Sequence, residues 1–95
     1  AFDYPAPAVE LEILQQETGI DARAGKALVA LLGKLRAAET LALAAAPSTR
    51  LGVAAARLIR SGVAPRAACA AAIVEPLTDD PEIASGLRDL VALVF

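Results

Sequence analysis

Pro47-Ser48-Thr49-Arg50-Leu51-Gly52-Val53-Ala54-Ala55-Ala56-Arg57-Leu58-Ile59-Arg60-Ser61-Gly62 is the stretch on which the fold turns. Ser48 and Thr49 offer hydroxyls suited to capping a helix start, and Ser61-Gly62 is a stop signal. Between them Leu51, Ala54, Ala55, Leu58 and Ile59 recur at helical spacing, which predicts an amphipathic helix over residues 50–60. Toward the C-terminus, Pro65 at an N1-like position opens a further short helix through Ala68, Cys69, Ala72 and Ile73, expected to end near Glu75-Pro76. Asp80-Pro81-Glu82 then starts a last helix whose apolar side is Ile83, Leu87, Leu90, Val91 and Val94.

Toward the N-terminus, Leu41-Ala42-Leu43-Ala44-Ala45-Ala46 has helical propensity but runs into Pro47, so residues 40–47 read as a loop with a short turn. Before it, Asp21 is a good N-cap for a helix carrying Ala24, Ala27, Leu28, Leu31, Leu32 and Leu35 on one side. Arg23, Lys26, Lys34 and Arg36 are expected to face out, with the end near Glu39. A first helix spans about Pro7 to Glu17 and stops at Gly19. Val9, Ile13 and Leu14 are expected on its buried face, with Glu10, Glu12 and Gln16 on the other. Phe2-Asp3-Tyr4 alternates apolar and polar residues before Pro5 and Pro7, as the tail of a strand leaving another body would. The expected fold is all-α, a small bundle of about five helices.

Composition narrows what such a bundle can do. Ninety-five residues allow one modest core. Hydrophobic residues reach 57% with only 3% aromatics, which favours helices packed closely through alanine and leucine. A net charge of -2 gives no field able to gather nucleic acid or an anionic membrane, so any anion site must be local. With no histidine and one cysteine, a His/Cys metal site, a Ser-His-Asp triad and an internal disulfide are excluded. Every apolar run falls well short of the ~20 residues of a bilayer span. The start lacks a signal peptide's pattern and an initiator methionine, which suggests a piece of a longer, cytoplasmic chain.

Chemistry has few places left. Arg50 in a helix's first turn lies at the positive end of the dipole, where it is mildly destabilising. Backbone N–H groups there attract anions, and a guanidinium beside them makes a bidentate phosphate site. The plainer alternative is that Ser48 or Thr49 caps the helix while Arg50 lies in solvent or pairs with an acid. Arg57 and Arg60 extend a basic stripe, ordinarily a solvated face. Asp79-Asp80 could hold a metal, but without other ligand types nearby they read as a helix cap. Cys69 reads as a small core residue, a reactive thiol being the alternative.

In order along the chain, Phe2-Asp3-Tyr4-Pro5 with Glu10 and Ile13, Ser48-Thr49-Arg50-Leu51, Leu58-Ile59 with Gly62, Pro65-Arg66 and Cys69, and Glu75-Pro76-Leu77-Thr78-Asp79-Asp80-Pro81 resemble the C-terminal region of the CbbQ/NirQ/NorQ group of MoxR-type AAA+ ATPases. The resemblance covers nearly the whole chain. It implies that residues 1–6 are the exit from the last strand of an α/β ATPase core and that residues 7–95 form the helical lid. It also implies that Arg50 is the sensor 2 residue reaching the terminal phosphates of ATP, with Ser48 and Thr49 supporting the helix start and Arg57 and Arg60 as secondary basic contacts. The family has glycine and acidic residues before the Ser-Thr-Arg, where this chain has Ala44-Ala45-Ala46-Pro47.

Further implications concern the longer protein. ATP and Mg²⁺ would bind there, and the lid would meet the core of its own chain and neighbouring subunits of a hexameric ring. A partner with a von Willebrand factor A-type domain and a client metalloenzyme, such as rubisco or a nitrite or nitric oxide reductase, would complete the assembly. No Gly-x-x-x-x-Gly-Lys-Ser/Thr occurs in these residues, so the chain alone is expected to hydrolyse nothing and to bind ATP very weakly. The rival reading is a free-standing helical module that docks a partner helix through an exposed alanine-leucine face. The lid reading predicts an apolar patch near Phe2 and an anion site at Arg50. The rival predicts a groove distant from Arg50.

Overall fold

The computed structural model describes residues 4–38, 43 and 45–95. The expected strand exit at Phe2-Asp3, the helix end at Glu39 and most of the 40–47 loop lie outside the described residues. Among the described residues there are five helical stretches and no strand. They are α1 (Pro7–Thr18), α2 (Ala22–Ala37), α3 (Thr49–Arg60), α4 (Pro65–Cys69, Ala70–Val74 and Glu75–Leu77 in continuous succession) and α5 (Pro81–Val94). The all-α bundle expected from the sequence is the observed fold.

Local chemistry sets most of the helix ends where it was expected to. Gly19 adopts φ 73 and its N–H donates to the Gln15 carbonyl, closing α1 in the left-handed conformation glycine tolerates best. The Thr18 hydroxyl donates to the Leu14 carbonyl at 2.7 Å and accepts from the Ile20 N–H, turning the chain toward α2. Asp21 caps α2 by accepting from the Ala24 N–H at 2.8 Å. Asp80 caps α5 by accepting from the Glu82 N–H, and the Asp80 N–H itself donates to the buried Thr78 hydroxyl. Helix α2 ends at Ala37 because Ala38 leaves helical geometry at ψ 55, two residues before the expected stop.

α4 departs from expectation in its interior. It widens into a π turn over Ala70–Val74, in which the Glu75 N–H reaches back to the Ala70 carbonyl, and then runs on to Leu77 through Pro76. A proline inside an α-helix clashes with the carbonyl four residues earlier. The wider turn just before it changes that register, so the helix does not stop at Glu75-Pro76. One consequence is that Val74 and Leu77 join Ala68, Cys69 and Ile73 in the interior, while Ala72 is only partly covered.

The core is built around α2, whose Leu28, Leu31, Leu32 and Leu35 are buried against α1, α3 and α5. Small residues on α3 allow close approach. A Cβ on Gly52 would stand 2.8 Å from the Leu32 Cδ1 and 3.5 Å from the Leu14 Cδ2. The buried face of α3 is therefore Gly52, Ala55 and Ala56, rotated from the expected stripe, and Ala54 is exposed. α1 shows a larger correction. Its fully buried residues are Glu10 and Leu14, and Val9 is 49% exposed. Glu10 was expected in solvent, and the reason it is not lies in the neighbouring site.

Candidate functional site

Pro47 is buried, and the Ser48 N–H donates across it to the Ala46 carbonyl at 2.8 Å, a tight turn suited to proline's fixed φ. Helix α3 starts immediately after. Ser48 occupies the cap position in extended geometry, yet its hydroxyl caps nothing. The Thr49 hydroxyl turns away from the helix end and donates to the Glu10 Oε2 at 2.7 Å. The expected hydroxyl capping of α3 is thus replaced by a contact to another helix.

Glu10 is 1% exposed and carries a second, stronger partner. Arg36 presents its guanidinium fork to both carboxylate oxygens, Nη1 to Oε1 at 2.8 Å and Nη2 to Oε2 at 2.7 Å. Its Nε donates to the Pro47 carbonyl at 2.8 Å, and its guanidinium carbon lies 3.9 Å from the centre of the Tyr4 ring. Bidentate geometry, a carbonyl and an aromatic face together use what distinguishes arginine from lysine. The side chain of Arg36 is 12% exposed, which corrects the expectation that it faces out with Arg23, Lys26 and Lys34. Two buried charges cost several kcal/mol each to desolvate, and here every oxygen of Glu10 has a donor.

This cluster joins the segment before α1, α1 itself, the end of α2 and the start of α3, and the residue following Thr49 is Arg50. Arg50 is exposed, and its side chain makes no hydrogen bond or ion pair among the described residues. Of the two placements the plainer reading offered, Arg50 therefore takes the one in solvent and has no acid partner among the described residues. Arg57 lies two turns, about 10 Å, farther along α3. It approaches Glu17 at 3.6 Å, both side chains being more than half exposed. Arg60 is exposed beside Gly19, at the same end of the bundle. The structure thus separates Arg57 and Arg60 from the helix start that presents Arg50.

The remaining candidates reduce to structural roles. Asp80 is a helix cap, and among the described residues no group of three or more His, Cys, Asp or Glu side chains is placed to hold a metal. Cys69 is buried, and desolvation pushes its thiol up to about 11, so it is a core residue without thiolate character at neutral pH. A groove of 470 Å³ runs between α1 and α2, lined by Pro7, Ala8, Leu11, Val29, Ala30 and Gly33 with Lys26. It begins at the N-terminal end of the fold, and Arg50 is not among its lining residues. No described helix is long and apolar enough to cross a membrane.

Sequence reasoning placed Glu10 and Arg36 in solvent because each was sorted by polarity alone. A usable signal existed. Arg36 continues the buried line Leu28-Leu32 at a spacing of four, and Glu10 precedes Leu14 by the same spacing. A charge on the continuation of a buried line is a candidate for pairing with another such charge.

Residues 10–94 match the family described as CbbQ/NirQ/NorQ C-terminal. The chain is 48% identical over 94 residues to protein NorQ of Paracoccus denitrificans and 44% identical over 94 residues to protein CbbQ of Hydrogenophilus thermoluteolus. Each alignment covers 99% of this chain and 35% of the relative. It is also 46% identical over 92 residues to the denitrification regulatory protein NirQ of Pseudomonas aeruginosa, covering 97% of the chain and 35% of that protein. The chain spans about a third of the length of these relatives and corresponds to their C-terminal part. It belongs to the CbbQ/NirQ/NorQ C-terminal family.

Proposed function

We propose that this family member is the helical lid of a ring-forming AAA+ ATPase of MoxR type, and that Arg50 meets the terminal phosphates of ATP held between lid and core. The observation that carries this reading is Arg50 itself. It is exposed and unpaired among the described residues, in the first turn of a helix that no side chain caps. A cation there works against the helix dipole by roughly 0.3–1 kcal/mol. A phosphate would reverse that balance, since it would gain both the N-terminal dipole and a guanidinium. Loss of the γ-phosphate on hydrolysis would remove the partner of Arg50 and release the lid, which converts chemistry into movement of one body against another.

The remaining parts of the machine belong to the longer protein. Mg²⁺ would be held with ATP by the core. The groove at Pro7 and Ala8 fits cover by what precedes the lid, in line with an apolar patch expected near Phe2. The work done on ATP would activate or mature a metalloenzyme client together with a von Willebrand factor A-domain partner. Two relatives are named as denitrification regulatory proteins, and a role in that process is the part of this reading their names support. The same groove favours a second reading, a docking module for a partner helix, because its lining is apolar apart from Lys26.

The deciding experiment is ATP hydrolysis by the full-length protein with and without Arg50→Ala. The lid reading expects turnover to fall about hundredfold, the scale of removing one charge-stabilising donor, while circular dichroism stays unchanged. Normal turnover by the variant would discard the sensor role and move the docking module ahead.

A further inference from the structure

The buried cluster behind Arg50 has no counterpart in the reading above, and stability alone does not account for it. A buried ion pair is often no more stabilising than apolar residues of the same volume, and α1, α2 and α3 already meet through Leu14, Leu28, Leu32 and Gly52. What directional bonds of 2.7–2.8 Å add is position, because apolar contacts tolerate sliding and a bidentate fork does not. The positions they fix are specific. Arg36 holds the carbonyl of Pro47, three residues before Arg50, and through Glu10 it holds the hydroxyl of Thr49, the residue before Arg50. The Tyr4 ring, 3.9 Å from the guanidinium carbon, limits how the guanidinium can tilt.

We propose that Arg36 is a positioning residue for nucleotide sensing: with Glu10 and Thr49 it sets the direction in which Arg50 leaves the start of α3. The inference rests on the reading of Arg50 as the phosphate contact. In this chain the turn before Arg50 is Ala45-Ala46-Pro47, without polar side chains to shape it, and the clamp supplies the anchoring from outside the turn. A lysine at position 36 would keep the charge but could not reach both Glu10 oxygens and the Pro47 carbonyl with one ammonium.

The test is a double-mutant cycle on ATP hydrolysis by the full-length protein, comparing Arg36→Lys, Arg50→Ala and the double variant, with thermal unfolding followed in parallel. Arg36→Lys is expected to lower kcat/KM about tenfold, as misplacing a contact by a fraction of an ångström can. In the Arg50→Ala background the same change should matter less than about twofold, since the residue it aims is gone. Equal losses in both backgrounds would mean that Arg36 only supports the fold, and would overturn the proposal. So would unchanged kinetics of Arg36→Lys. If Arg50→Ala alone has no effect, the sensor reading falls and this inference with it, an outcome distinct from additivity. Should Arg36→Lys fail to fold, Thr49→Val enters the same cycle, with Thr49→Ser expected to restore activity by returning the hydroxyl to Glu10.

Discussion

Glu10→Ala should be among the most destabilising single changes available in this chain. Glu10 is 1% exposed and accepts three hydrogen bonds, two from Arg36 and one from Thr49. Removing it leaves the Arg36 guanidinium, 12% exposed, with its charge uncompensated and two of its donors unpaired. Breaking one side of a buried pair costs about 3–5 kcal/mol. That is a large share of the roughly 5–15 kcal/mol by which a small domain is stable. The double change Glu10→Leu with Arg36→Met removes both charges and substitutes apolar volume, and should lose much less than the single change. Urea unfolding of the 95-residue chain, followed by far-ultraviolet circular dichroism, gives both values. A Glu10→Ala loss below about 1 kcal/mol would show that the pair is solvated in practice, and the positioning argument built on it would fail too.

The glycines separate space from propensity. Nothing lies within 4 Å of a Cβ placed at Gly33 or Gly86, so alanine at either site should raise stability by about 0.5–1 kcal/mol. Gly52→Ala should instead lower the unfolding midpoint, because its Cβ would meet the Leu32 Cδ1 at 2.8 Å and force a buried leucine to move. Cys69 gives a pH signature. Burial pushes its thiol up to about 11 in the fold from an ordinary 9.0, so above pH 9 the unfolded state binds fewer protons than the native one. Stability should then fall by up to about 1.4 kcal/mol per pH unit between 9 and 11, a slope that Cys69→Ala removes. Thiol labelling of the folded chain at pH 7–8 should be slow, and rapid labelling there would contradict the buried, neutral thiol.

The helix ends were legible in the residues. Gly19, Asp21, Ser61-Gly62, Pro65 and Asp80-Pro81 all act where they were read, because a cap or a stop is settled by groups two to four residues apart and by the φ each residue permits. Arg50 as the cation at a helix start was legible for the same reason. The face each helix buries was harder to read, and α3 came out rotated toward Gly52 and Ala56, with Leu32 and Leu14 packed so close to Gly52 that a Cβ there would meet them. Pro76 looked like a stop and is not, since the helix widens into a π turn over Ala70–Val74 just before it and runs on to Leu77.

By itself, then, the sequence determined that this chain is a bundle of short helices, and it marked Arg50 as the cation at a helix start. Only the tertiary structure decided the fate of Glu10 and Arg36, which lie 26 residues apart. A carboxylate is stable away from water only where donors converge on it, and those donors come from α2 and the start of α3. The spacing of Glu10 from Leu14 hints at burial but does not name the donors, because they meet Glu10 only after three helices have packed.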